Sequence, residues 1–249
     1  MSFSADWLTR RADADRRARN ADLANRLAGH FADASGMRIL DLGAGHGSNM
    51  RLTSPHLPAG QRWMLMDADE DLLARASAPE GVSFETGLID LANDLTPVLN
   101  RGWDLVTASA LFDLCGADWL DRFVASLAAA RLPLYAVLSY DGREDWSPPH
   151  VDDAAVLAAF HADQTTDKGL GQSLGPRAHS YLVNGLRAAG YDVAEGRSDW
   201  DLTVPTDADL IADLATGTGG VAANAGWVAA RQRANRVVIG HMDLFAIPR

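Results

Sequence analysis

Three glycines at alternate positions, Gly43, Gly45 and Gly47, follow the apolar run 37–42 in the segment ILDLGAGHGSN. Positions without side chains at that spacing let the backbone turn tightly and approach a ligand that any side chain would displace. The loop amides and the amino end of the next helix then face the bound molecule. Twenty positions beyond Gly47, Asp67 closes a second apolar run, RWMLMD. A carboxylate there is placed to accept hydrogen bonds from both hydroxyls of a ribose. The pattern predicts a nucleoside cofactor on the loop; a tight turn beside an unrelated surface aspartate is the plainer alternative.

The dinucleotide fingerprint G-x-G-x-x-G would put its last glycine on Ser48, whereas this chain reads D-x-G-x-G-x-G from Asp41. In these residues the sequence resembles the class I S-adenosylmethionine-dependent methyltransferases. Asp41-Leu42-Gly43-Ala44-Gly45-His46-Gly47 matches their first motif, and Asp67 matches the acidic residue that holds the ribose. The segment IDLAND, with Asp90 and Leu91, is similar to the family's adenine-binding segment. WDLVTASAL (103–111) is similar to the fourth-strand motif beside the methionine moiety. The resemblance implies S-adenosyl-L-methionine as cofactor, S-adenosyl-L-homocysteine as product, and a site of Asp41, Gly43, Ala44, Gly45, Asp67, Ala68, Asp90, Leu91 and Ser109. Asp90 falls a few residues later than the plain pattern expects, and a cap on the following helix is its alternative role.

The elements that must position these residues alternate strand and helix. Short apolar runs at 37–42, 62–67, 81–86, 103–109 and 134–140 read as strands buried on both faces of a parallel sheet. Helical stretches at 48–56, 69–77, 91–100 and 117–131 lie between them, so right-handed crossovers build a doubly wound α/β fold. A helix to about 189, a sixth strand at 191–197, a helical stretch at 207–235 broken by Gly217, Gly219 and Gly220, and a last strand at 236–247 complete the chain. The resemblance implies a mostly parallel seven-stranded sheet with helices on both faces and its last strand antiparallel. Residues 1–249 are expected to form one domain: an N-terminal helix (1–35), a cofactor-binding half (36–141), a lid insertion after strand five (142–175), and a C-terminal part (176–249).

Acceptor chemistry belongs at or after the carboxyl ends of strands. Tyr140 and Asp141 end the fifth strand and are expected to face the acceptor, and Asp113 follows the fourth. The expected lid carries Trp146, His150, His161 and Lys168. His150 follows two prolines and suits a general base near neutrality, with an exposed loop histidine as the alternative. His161 and His241 read as packing residues. On the first helix, arginines interleaved with aspartates read as a solvated face, with an arginine reaching the cofactor's carboxylate as the alternative, while Trp7 and Phe31 close the helix on the sheet.

Charge and composition exclude several classes. With 33 acidic against 22 basic residues, the net charge is -11, a field that repels nucleic acid and anionic membranes. Cys115 is the sole cysteine, so no internal disulfide or cysteine-based zinc cluster can form. The histidines lack ligand spacing, and Ala108-Ser109-Ala110 replaces the carboxylates that metal-dependent catechol-type enzymes need, so no metal site is expected. The fourth-strand end also lacks an Asn-Pro-Pro-Tyr signature, which counts against nucleobase amines. No secretory or membrane-spanning run is evident, and a cytoplasmic protein is expected. Taken with the family resemblance, which implies methyl transfer by direct in-line displacement, these readings make a small-molecule acceptor the expectation. An NAD-dependent oxidoreductase and a non-catalytic nucleotide-binding scaffold are the alternatives.

Overall fold

The computed structural model describes residues 4–249. Helices α1 (Ala5–Ala18) and α2 (Ala21–His30) precede β1 (Arg38–Leu42) and α3 (Ser48–Thr53), followed by β2 (Arg62–Asp67) and α4 (Glu70–Leu73). Then come β3 (Ser83–Leu88), α5 (Thr96–Leu99), β4 (Leu105–Ser109), α6 (Ala117–Ala129), β5 (Leu134–Ser147), α7 (Asp153–Gln164) and α8 (Ala178–Ala188). The chain closes with β6 (Tyr191–Arg197), β7 (Trp200–Thr203), α9 (Ala208–Val221), α10 (Ala225–Arg231) and β8 (Arg236–Pro248).

The strands form one sheet in the order β3-β2-β1-β4-β5-β8-β6, with the short β7 paired to β8. Strands β1 to β5 pair in parallel, and β8 runs antiparallel to both β5 and β6. This is the doubly wound, mostly parallel sheet with an antiparallel last strand, extended by an eighth strand of four residues. Alternation on β1 divides the core: Ile39 joins Leu27, Trp63 and Leu65 on one face, while Leu40 and Leu42 join Leu120, Phe123 and Leu182 on the other.

Several local expectations change. The N-terminal helix breaks after Ala18, because the Asn20 side chain accepts from the Leu23 amide and starts a second helix. The glycines at 217–220 do not break α9. A Cβ on Gly219 would lie 2.5 Å from Val228 and 2.7 Å from the Trp227 ring, so the glycine lets α10 pack against α9. Strand β5 runs seven residues past its expected end at 140, pairing with β8 as far as Ser147. The segment 142–147, expected as lid, is therefore sheet. Register shifts between Ala136 and Ser139 and between Tyr140 and Glu144 lead into this continuation, and Leu138 takes a positive φ. The Leu138 amide donates to Asp243 Oδ1 at 2.7 Å, and the Asn20 amide donates to the other oxygen. A wholly buried aspartate is thereby hydrogen-bonded by two elements.

Candidate active site

The carboxyl ends of β1, β2 and β4 border a cavity of about 650 Å³. Its floor is the glycine loop. Gly43, Gly45 and Gly47 all have positive φ (64°, 52° and 80°), a conformation that disfavours side chains. The Ala44 amide donates to the Met66 carbonyl, and the Gly45 amide donates to Asp67 Oδ2 at 2.7 Å, tying the loop to β2. The other Asp67 oxygen accepts the Asp69 amide at 3.0 Å, so the carboxylate is oriented from both sides while still lining the cavity.

Of the residues singled out for the cofactor, Gly43, Ala44, Gly45, Asp67, Ala68, Asp90, Leu91 and Ser109 all line this one cavity. Strand β3 extends to Leu88, two residues beyond its expected end, which puts Asp90 directly at the sheet's edge. Its carboxylate also accepts the Ala92 amide at 2.9 Å, bracing a turn rather than a helix. Asp41 lies beneath the loop, fully buried. Asn49 and Thr107 donate to its Oδ1 at 2.6 and 2.7 Å, while Oδ2 is buried without a protein partner. Burial pushes this carboxyl up to about 6.

The acceptor-side expectations fare differently. Tyr140, Asp141 and His150 do not line the cavity. The continuation of β5 carries Tyr140 inside the antiparallel part of the sheet, where its hydroxyl donates to Glu144 and lies 3.1 Å from His161 Nε2. Burial pushes this phenol far above its usual range and raises Glu144 as well. Asp141 is engaged by Arg143, which also reaches Asp199 at 2.7 Å. His150 opens α7: its Nδ1 accepts the Asp152 amide and its own amide donates to Asp153. Trp146 is buried against Trp227, ring centroids 5.2 Å apart. His241 is buried beside Trp200, and burial lowers its pKa to about 3. Asp113 is half-buried, with its Oδ1 enclosed and unpartnered, and burial pushes it up to about 6. Within 142–175 only Lys168, Gly169 and Leu170 reach the cavity. They sit on a turn bridged between Asp167 and Gln172 and held by the Gly116 amide donating to the Leu170 carbonyl.

Helix α1 supplies a wall that was expected to be solvent-facing. Leu8, Arg11 and Asp15 line the cavity, and a Cβ on Gly45 would lie 3.2 Å from Leu8. Arg11 and Asp15 are buried as an ion pair (3.0 Å), with the guanidinium over the Trp200 ring and the Trp200 indole donating to Asp15. The i, i+4 spacing was legible in the sequence; the aromatic partner some 185 positions away was not. His46 is a further lining residue outside the expected set, placed between the second and third glycines.

No protein-family model matches the chain, and no curated protein resembles it significantly in sequence. Solved structures do match its fold. The cyclopropane synthase MmaA2 from Mycobacterium tuberculosis superimposes with a TM-score of 0.55 at 13% identity, over 98% of this chain and 94% of that one. The YcgJ protein from Bacillus subtilis gives 0.54 at 14% identity, covering 92% and 99%. A Bacillus halodurans protein described as a "putative methyltransferase" gives 0.54 at 15% identity, covering 92% and 100%. The chain thus has the class I S-adenosylmethionine-dependent methyltransferase fold.

Proposed function

We propose that the protein is a methyltransferase that uses S-adenosyl-L-methionine to methylate a small-molecule acceptor in the cytoplasm. The observation that carries this reading is the convergence of the glycine loop, Asp67, Asp90, Leu91 and Ser109 on one cavity. Its volume lies in the range of small-molecule and cofactor sites. The lining fits the cofactor's parts. Asp67 is a fixed acceptor for ribose hydroxyls, and Leu91 and Leu111 offer apolar surface to a purine. Asp41, fully buried and outside the cavity lining, braces the loop from beneath through Asn49 and Thr107. When bound, the cofactor supplies an electrophilic methyl on its sulfonium.

The chain's own task is then to orient the acceptor and exclude water. Leu8, Leu111, Leu114 and Leu170 give the cavity an apolar wall for that purpose, and the Arg11–Asp15 pair and Lys168 supply its polar points. Lys168 is held by Asp163 at 2.7 Å. We also infer that the turn at 167–172, rather than the whole of 142–175, is the part that covers the site. The acidic charge supports a small acceptor over nucleic acid. Among the described residues no helix is long and apolar enough to cross a membrane.

Calorimetric titrations with S-adenosylhomocysteine and NAD, side by side, test the reading. S-adenosylhomocysteine is expected to bind and NAD not to. In Asp67→Ala, loss of even one hydrogen bond to a charged acceptor, about 1.5–3 kcal/mol, weakens binding about tenfold or more. NAD binding in preference, or Asp67→Ala within twofold of wild type, overturns the assignment.

A further inference from the structure

The side chain between the second and third glycines is an imidazole that the cofactor motif does not account for. His46 is 8% exposed and lines the cavity. Arg51, on α3, grips it with both arms of the guanidinium. One nitrogen donates to the His46 carbonyl at 2.7 Å, and the other lies 3.1 Å from Nδ1. A guanidinium has only donors, so Nδ1 must accept in this pair. The ring proton therefore sits on Nε2. Arg51 also reaches the Ser77 carbonyl at 3.3 Å, which anchors the fork to the segment beyond α4. Among the described residues Arg51 is the ring's only hydrogen-bond partner, and Nε2, unlike Asp41 Oδ2, is not sealed from solvent. Burial and the adjacent Arg51 charge lower the ring's pKa, so it stays neutral around pH 7.

The chemistry around it is complementary. Asp67, Asp69, Glu70 and Asp71 also line the cavity and bring carboxylates to it. A hydroxyl that gives its proton to a carboxylate keeps lone pairs, and enclosing them without a donor costs free energy. A neutral N–H among carboxylates suits a hydroxyl and disfavours a phosphate. Resting on the cofactor reading above, we propose that His46 is a binding residue for a vicinal diol: its Nε2–H donates to a ribose hydroxyl that itself donates to Asp67. The loop thus reads the ribose from its donor side as well as its acceptor side.

The test is a set of titrations with S-adenosylhomocysteine and its 2′-deoxy and 3′-deoxy analogues. His46→Phe is expected to weaken S-adenosylhomocysteine about tenfold. His46→Gln, whose amide can place an N–H near the Nε2 position, is expected to recover most of it. Removing the hydroxyl that His46 contacts should cost several-fold less affinity in His46→Phe than in wild type. Nitrogen-15 NMR of the free wild-type protein should find the His46 ring neutral and protonated on Nε2 at pH 7, a readout that needs no variant to fold. A folded His46→Phe within twofold of wild type, equal losses for both deoxy analogues in the two proteins, or a ring protonated on Nδ1 would each overturn the inference. In those cases wild type still binds S-adenosylhomocysteine; its failure to bind at all would instead remove the cofactor reading, and this inference with it.

Discussion

At the parallel edge of the sheet, the ends of β1, β2 and β4 present backbone and carboxylates to an open cavity. Asp67 is oriented by two amides, Asp90 by one, and His46 keeps a ring nitrogen without a protein partner. In the antiparallel extension, where β5 runs on beside β8 under α7 and α10, polar groups are spent on one another. Arg231 is buried, donates to both oxygens of Asp153 at 2.5 Å and to the Pro148 carbonyl, and lies over the Trp146 and Trp227 rings. Tyr140, His161 and Glu144 likewise close on themselves. Perturbed titration occurs in both regions, so it does not by itself mark a site. What separates them is whether the oriented polar atoms face a space. Residue types that suit catalysis, such as Tyr140 and His150, here support the frame from which the cavity is hung.

Removing a charge partner in the antiparallel extension has the largest expected effect. Asp153→Ala leaves the Arg231 charge buried and unpaired, and breaking such a pair costs about 3–5 kcal/mol. For a chain of this size that lowers Tm by roughly 6–20 °C by calorimetric scanning. S-adenosylhomocysteine affinity below the transition should stay within about twofold of wild type, because neither residue lines the cavity.

A half-buried acid in the segment between the cavity-lining Leu111 and Leu114 predicts a pH signature. Asp113 is raised from 3.8 to about 6 by burial, so the folded state holds a proton that the unfolded state has lost. Between about pH 4 and 6 this group makes stability fall as pH rises, and above 6 its full cost is present. Asp113→Asn should therefore match wild type near pH 4 and exceed it by about 2 kcal/mol at pH 7.5, two pKa units being worth somewhat under 3 kcal/mol. Urea unfolding at the two pH values checks it; an advantage equal at both would mean that the proton is not involved.

A smaller effect separates two glycines within α9. Gly219→Ala forces a Cβ against Val228 and Trp227 and should cost about 1–3 kcal/mol. Gly217→Ala meets nothing within 4 Å and should stabilise by about 0.5–1 kcal/mol, the helix-propensity difference. Denaturant midpoints of the two variants should move in opposite directions.

The parallel half was legible because its rules are local. Buried strands are short apolar runs, the glycine loop follows the first, and Asp67 ends the second, so order along the chain already places these residues at one edge. Asp90 was offset only because β3 continues through Gly87 and Leu88, weak strand residues held by pairing with Met66 and Asp67. Beyond residue 140 the rules become non-local. Gly142 and the nearby Pro148-Pro149 read as a loop, yet β8 supplies a partner some ninety positions away that holds 142–147 in the sheet. The arginine–aspartate pattern of α1 is ambiguous in the same way. Arg11 and Asp15 are drawn inward by Trp200, a residue that no spacing argument links to them. His46 was in plain view inside the motif. Its role depends on Arg51 fixing the tautomer, which needs the turn of α3 to bring that side chain back.

The division between an open parallel edge and a self-satisfied extension is tested most directly by hydrogen exchange of the wild-type protein with and without S-adenosylhomocysteine. Amide protection on binding should concentrate in 43–49, 67–72, 90–92 and 109–111, the segments that build the cavity. Exchange in the paired strands 141–147 and 236–241 should change little. Protection centred on those strands and on α7, with the glycine loop unchanged, would contradict the account and move the binding site into the extension.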